Sequence, residues 1–529
     1  MKKYSFLAII SLFTAFFVLN GCKKDDELTP VAGVTVSPTS VTMKPGDIKT
    51  LVATVFPDKA NNKVLTWTSS DASVVSVSAT GDLTAIKPGS VTITVTSADS
   101  HESATCMVTV NPLDAVSVSG AVSGVWKKYS VITVDGQVNV PAGQTLTIEE
   151  GVQVIINTAG QDANNTKIEF IVNGNLYCLG SAFYPVTFTV PAASRTADNT
   201  FKRLWGGIIG STTCSEMVLD HAIVEYTGAV TTTTSPSATS GLFKAAGGEG
   251  MVAFNTNNPS GKYVVTNSTF RCTGEDAIYV QGGSCIFTNN TFYAIGELGG
   301  EAINVKAGCK VDAAYNLMYS PNTNGLKLSS SGQSATRAEA QINAYNNTII
   351  NGGWRRDPSA PKGGSVWVEK GALVNVCNNL IVNCMFGAKA PSFGVSATTG
   401  PDFASVIDYN FYASGTQQSS VPQHIANGTA TAYAGFKPGV TDVVYGAHDK
   451  AGTGVGLNDP LFVSFPFNTT PLLDFNFNTS WNFHLSAGSP AASGAKTDLV
   501  PYFTSGLTVN GKTYTSPLPS AYFGAFGVN

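Results

Sequence analysis

Four short segments carry the side chains from which chemistry can be argued: EDAIYV at 275–280, EAINVK at 301–306, NGLKLS at 324–329 and GSVWVEK at 364–370. Strand alternation turns Ile278, Ile303, Leu326 and Val366 one way and Tyr279, Asn304, Lys327 and Trp367 the other. Two aromatic rings, an amide and an ammonium group in one stripe suit a sugar chain, because ring faces stack on pyranoses while polar groups bond hydroxyls. An ordinary solvated sheet face with scattered aromatics is the competing reading. The loop NGGWRRDPSAPKGG at 351–364 adds Trp354, Arg355, Arg356, Asp357 and Lys362, and long loops on rigid scaffolds commonly carry binding function. Folded over Lys327 and Trp367, it would make a cationic, aromatic cleft for an acidic polysaccharide. Arg355 or Arg356 would then pair with a uronate carboxylate while Lys327 abstracts the C5 proton in a β-elimination. These three are the candidate catalytic residues. Tyr279, Asn304, Lys327, Trp354 and Trp367 are the candidate ligand contacts. Asp276 and Glu301 begin equivalent strands, next to Glu275, and could share a hard cation such as Ca²⁺. Acidic residues at strand starts are also common turn residues. No Ser-His-Asp set, phosphate loop or cysteine nucleophile is evident.

The elements that must position these residues repeat. TNSTF at 266–270, TNNTF at 288–292, AYNLM at 314–318, YNNTII at 345–350, CNNLI at 377–381 and DYNFY at 408–412 share one pattern. It places Ser268, Asn290, Asn316, Asn347, Asn379 and Asn410 at intervals of 22, 26, 31, 32 and 31 residues. Such internal repetition is the signature of a solenoid, each step being one coil plus a variable loop. An asparagine at a recurrent bend can donate and accept between coils as an internal ladder. His221, in LDHAIVEY, is expected at the same ladder position two coils earlier, as a turn residue. Lys389 stays unassigned, because AKAPS aligns in two registers. The Thr-rich stretch TTTTSPSATS at 231–240 is expected to be a mobile loop.

With these repeats, LWGGIIG at 204–210, NDPLF at 458–462 and FHLSAGSPAASGA at 483–495, residues 124–529 resemble a right-handed parallel β-helix of the pectate-lyase-like superfamily with a C-terminal closing segment. That class hosts lyases, hydrolases, isomerases, adhesins and tailspikes, so the resemblance implies no single reaction. The NTD, paired DD, GHG and RIK motifs of its hydrolase members are missing here.

Residues 33–111 read as short alternating strands between turn signals, the pattern of a small β-sandwich. TWTSSD, VVSVSATGDLTA and KPGSVTITV within it resemble a bacterial Ig-like domain of group 2, which implies a spacer or adhesive module without catalytic residues. Trp67 is expected as its bulky core residue, with Gly46, Gly81 and Gly89 at tight turns. Residues 112–123 are expected to be a linker. At the start, two lysines precede an apolar run from Phe6 to Leu19, shorter than the roughly 20 residues a bilayer span needs. Leu19-Asn20-Gly21-Cys22 resembles a bacterial lipobox and the following KKDDE resembles a Bacteroidetes surface-export signal. Together they imply a signal peptide at 1–21, acylation at Cys22, a tether at 22–32, and an outer-membrane lipoprotein facing outward.

The 529 residues include 12% charged and nine cysteines, with a net charge of -4. That balance suits a large all-β exported protein and argues against nucleic acid as a partner. The cysteines lack C-x-x-C or His spacing, so no zinc site is read; buried free thiols are expected, in a compartment that permits a disulfide. The leading expectation is a monomeric surface lipoprotein, an all-β chain with an Ig-like spacer and a β-helix that binds a polysaccharide or other glycan. A polysaccharide lyase and an adhesive protein with a protein partner remain alternatives. Whether the chain is an enzyme stays open, a lyase being favoured over a glycoside hydrolase.

Overall fold

The computed structural model describes residues 28–529 except 246–247, 298, 357–362, 416–423, 427–428, 432–441 and 452–457. Cys22 and the leader, Asp357 and Lys362 therefore lie outside the described residues. The chain separates into two units, divided between Asn111 and Pro112.

In the first unit, Ser40–Met43, Ser103–Val110, Gly89–Ser97 and Leu65–Ser69 form one four-stranded sheet, with Ile48–Thr50, Asp82–Ala85 and Val75–Val77 in a second sheet. Alternating valines and isoleucines such as Val91, Ile93 and Val95 fill the space between them. Trp67 is only half-buried at the edge of this aliphatic core, contrary to the bulky central role expected of it. It instead lies over Gly81, where φ is +87° and an added Cβ would come within 2.6 Å of the Leu51 carbonyl. Only glycine tolerates both the backbone conformation and the close approach.

The second unit is a parallel β-helix with three strands per coil. Sheet 1 includes Phe170–Val172, Ile208–Gly210, Phe254–Thr256, Ile278–Val280, Ile303–Val305, Leu326–Ser329 and Val366–Glu369 in parallel register. Sheet 2 runs through ten strands from Gly124–Trp126 to Val406–Ile407. Sheet 3 runs from Gln153–Ile156 through Thr291–Ile295 to Lys450–Ala451. Stacking starts inside the expected linker, since Ala115–Ala121 already pairs with Val131–Val140. Inside the coils, equivalent residues lie over one another, as in Phe270 and Phe292, stacked with centroids 5.4 Å apart. Cys178, Cys285 and Cys309 belong to this core, and the eight described cysteines are free.

The turn from sheet 2 to sheet 3 sets the stacking. His221, Asn267, Asn289, Tyr315, Asn346, Asn378 and Tyr409 all have φ between 50° and 60°. The next residue in each coil is the ladder. Asn316 Nδ2 donates to Asn347 Oδ1 at 2.9 Å and to the Phe287 carbonyl at 2.9 Å, while Asn316 N also donates to Asn347 Oδ1. The same bonds recur from Asn290 to Asn316, Asn347 to Asn379 and Asn379 to Asn410. Ser268 ends the row by accepting from Ala222 N, so His221 sits one residue before the ladder and supplies the left-handed turn instead.

The segment after residue 458 closes two of the three faces. Phe465, Phe467, Phe483 and Phe523 cover Tyr319, Ile350, Val382 and Phe411 on sheet 3. Phe503, Leu507 and Val509 cover Tyr177, Val218, Val264 and Ile286 on sheet 2. Asp312 anchors this second patch, accepting from Tyr502 N, Phe503 N and Ser516 Oγ.

Asn347→Ala leaves buried donors on Asn316 without acceptors, so equilibrium denaturation is expected to show a loss of about 2–3 kcal/mol. A loss under about 0.5 kcal/mol, the size of a neutral surface change, would contradict the role given to the ladder. Asp312→Ala is expected to raise amide hydrogen exchange across 502–516 while the solenoid strands keep their protection; unchanged exchange there would show that the apolar patch alone holds the tail.

Candidate functional site

Sheet 1 is the face that the tail does not use, and its outward positions fall in straight columns because the register never slips. Asn255, Tyr279, Asn304, Lys327 and Trp367 are successive partners across five strands. Trp367 then bridges to Lys389, which settles the register of AKAPS. Ile278, Ile303, Leu326 and Val366 point into the core. Two residues further along, Ser329 pairs with Glu369, and Lys306 follows Asn304 by two just past the end of its strand.

This is not a solvated face. Asn304 is 3% exposed, Lys389 6% and Lys306 8%, whereas Tyr279 and Lys327 are half-buried. Lysine is almost never that buried without compensation. Here the compensation is aromatic and acidic. Lys306 Nζ lies 5.3 Å from the Tyr279 ring centre, and Lys389 Nζ lies 4.4 Å from Phe386 and 5.4 Å from Trp367. Lys327 Nζ is 3.7 Å from Glu301. Burial, reinforced by the charge of Lys327, draws the Lys306 ammonium down to about 8. Burial also lowers Lys389.

Asp276 and Glu301 form the acidic border of this face. Asp276 accepts from Gly300 N, Glu301 N and Asn304 Nδ2, and its carboxyl is hydrogen-bonded to that of Glu301. Burial and the neighbouring Glu301 charge push Asp276 well up, while Glu301 is held down against burial by the Asp276 proton, Lys327 and Lys306. A hard cation does not fit there: Ca²⁺ needs six to eight oxygens, and an ammonium already serves Glu301. Among the described residues no three His, Cys, Asp or Glu side chains gather as a metal cluster. Glu275 belongs to a different pair, with Arg203 at 2.7 Å.

The structure separates Trp354 and Arg355 from this column. Arg355 donates to the carbonyls of Ile295, Gly296 and Ser320 at 2.7–2.8 Å and lies over Phe201 and Phe475. It ties the turns of successive coils together, and burial lowers it to about 10. Trp354 is buried, its indole N–H donating to the Asn383 carbonyl. Arg356 is half-buried. At the other end, the Thr-rich stretch expected to be mobile is folded down: Ser237 N donates to the buried Glu169 and Thr231 Oγ1 to the Lys244 carbonyl. Phe243, Met251 and Val252 there cover Ile171 and Ile209, which closes the early coils of sheet 1.

Lys306 is the site residue that sequence reasoning passed over, and Lys389, left unassigned there between two registers, joins the column here. Lys306 follows Asn304 by two in EAINVK, so the alternation that selected Asn304 also places Lys306 outward. Several buried polar atoms at this edge, Asn304 Oδ1, Asn324 Nδ2 and Ser365 Oγ among them, have no partner among the described residues. Such atoms are what a hydroxyl-rich ligand or ordered water satisfies.

Comparison with known proteins finds short stretches of similarity. An α-L-arabinofuranosidase of Bifidobacterium longum subsp. longum is 40% identical over 100 residues, 18% of this chain and 9% of that protein. A 3-O-α-D-galactosyl-α-L-arabinofuranosidase of the same subspecies is 44% identical over 87 residues, 15% of this chain and 8% of its own. An Ig-like virion protein of Serratia phage KSP90 is 43% identical over 82 residues, 15% of this chain and 32% of its own. The chain thus spans less than a third of each relative. Residues 30–108 match the bacterial Ig-like domain (group 2), and with the sandwich described above the first unit is a domain of that family.

Proposed function

We propose that the protein is an exported surface lipoprotein, acylated at Cys22, whose β-helix binds an acidic polysaccharide along sheet 1 with the Ig-like domain as spacer. The observation that carries this reading is the unbroken Tyr279–Asn304–Lys327–Trp367–Lys389 column, with Lys306 alongside it. Two ammonium groups over aromatic rings, Lys306 and Lys389, with Lys327 beside Glu301, match carboxylate-bearing sugars: charge pairing supplies affinity and ring stacking supplies orientation. Two of the relatives sharing an Ig-like segment are glycan-acting by name, which supports an extracellular glycan setting.

A second reading, that the same face is a lyase, is favoured by Lys306. An amine whose pKa is about 8 is partly neutral near physiological pH, as a general base requires. Lys306 would take the C5 proton of a uronate as the C4–O bond breaks and the C4–C5 double bond forms. Lys327 or Lys389 would neutralise the carboxylate, since Arg355 is committed to backbone carbonyls.

Affinity electrophoresis in polygalacturonate and alginate is expected to retard the full-length protein, with dextran giving no retardation. Lys306→Met combined with Lys389→Met is expected to weaken binding on the order of tenfold or more, equivalent to about 1.4 kcal/mol. Lys306 loses its charge as pH rises through about 8, so retardation is expected to fall between about pH 7 and 9. Equal retardation of parent and double variant would refute the site. Ultraviolet absorbance of the same mixtures separates the two readings: a rise abolished by Lys306→Ala means a lyase, and a flat trace with retardation means a binder.

Cys22→Ser is expected to abolish incorporation of labelled palmitate in the native host. Label retained in that variant would rule out the anchor.

A further inference from the structure

A second groove lies on sheet 3, where the tail stops short of the earlier coils. Its floor is the register-aligned column Ile223, Thr269, Thr291 and Leu317. One wall is Arg271 and Tyr293, neighbours in the next outward column. Across from it the tail presents Trp481 and Phe526, and meets that wall where Phe477 stacks on Tyr293 with centroids 4.7 Å apart. The cavity measures about 550 Å³, within the usual size of a small-ligand site.

Its chemistry differs from that of sheet 1. Arg271 is neutralised: Nε donates to the Glu225 carboxylate and Nη1 to the Tyr293 hydroxyl at 2.8 Å. His484 Nδ1 is engaged with Asn482 at 2.8 Å. What remains toward the groove is uncharged. The Thr269 and Thr291 hydroxyls lie in line on successive coils and have no hydrogen-bond partner among the described residues. Trp481 is half-buried, packed edge-on against Phe477 and Phe483 with centroids 5.8 and 6.1 Å away.

We propose that this groove is a second saccharide site, for a neutral glycan chain running along the solenoid axis across the threonine column. Aromatic surface facing a row of hydroxyls suits a pyranose, one face of which is apolar and the rim hydroxylated. With Arg271 paired to Glu225, the groove offers no free guanidinium for uronates, which the sheet 1 face favours. The two sites would let one chain bridge an acidic and a neutral polymer.

Calorimetry with the full-length protein tests this with five probes: the hexasaccharides of xylan, cellulose, mannan and arabinan, and hexagalacturonate. At least one neutral hexasaccharide is expected to bind. Thr291→Arg, which fills the floor, is expected to weaken that binding at least tenfold. Trp481→Phe, which keeps an aromatic ring in the tail, is expected to weaken it severalfold, with melting curves confirming that both variants fold. Lys306→Met is expected to leave neutral binding intact. Failure of all four neutral probes, or loss of neutral binding in Lys306→Met with retention in Thr291→Arg, would overturn the second site. Hexagalacturonate binding is read separately, so the sheet 1 assignment stands or falls on its own.

Discussion

The later coils of the solenoid depend on one buried amide each, from Asn290 to Asn410. A left-handed residue turns the chain from sheet 2 to sheet 3, and that conformation is unfavourable for residues other than glycine by roughly 1–2 kcal/mol. The asparagine that follows offsets the cost. Its oxygen accepts from the backbone and side chain of the preceding coil, and its amide group donates to a carbonyl and to the next asparagine, so both ends of a fully buried amide are engaged. A half-satisfied member would be costly in a low-dielectric interior, so the row is held as a unit. Strict register is the consequence, and strict register turns isolated outward residues into columns.

The tail then decides which columns remain available. Its aromatic residues bury the later coils of sheet 3, and its last hairpin docks on sheet 2 through Asp312 and the Phe503 patch. Uncapped solenoid faces of this size would expose long apolar stretches such as Tyr177, Val218, Val264 and Ile286. Covering two faces concentrates the remaining polar and cationic outward residues on sheet 1. Insertions between strands form the surroundings of that face, and they raise the effective strength of its charges by excluding water. The Asp276–Glu301 pair lies in the same surroundings: burial and the Glu301 charge push Asp276 up, and Lys327 stands 3.7 Å from Glu301.

The fold was largely legible. Repeats at one-coil spacing, the asparagine pattern and the inward-outward alternation of four short segments yielded the β-helix and the Tyr279–Asn304–Lys327–Trp367 stripe, and the register reproduces that stripe residue by residue. The site was less so. Arg355 and Trp354 looked like ligand contacts because loops are usually solvated, but burial commits their donors to backbone carbonyls. His221 missed the ladder by one residue, since histidine can adopt the left-handed turn but an alanine follows it where an asparagine would stand. Lys306 was present in the pattern and passed over because attention stayed on one column.

The sequence by itself determined the local pleat, the coil repeat, the Ig-like domain and the side of each strand that faces the core, because these follow from periodicities within a few dozen residues. Tertiary structure alone decided which outward face stays available, which cations are buried enough to have altered acidity, and which arginines are consumed in holding turns. Those outcomes depend on contacts between segments far apart in the chain, such as Asp312 with Phe503 or Arg355 with Phe475. Desolvation, which sets the chemistry of Lys306 and of the Asp276–Glu301 pair, is a property of the packed surroundings and has no signature in a residue's own neighbours in sequence.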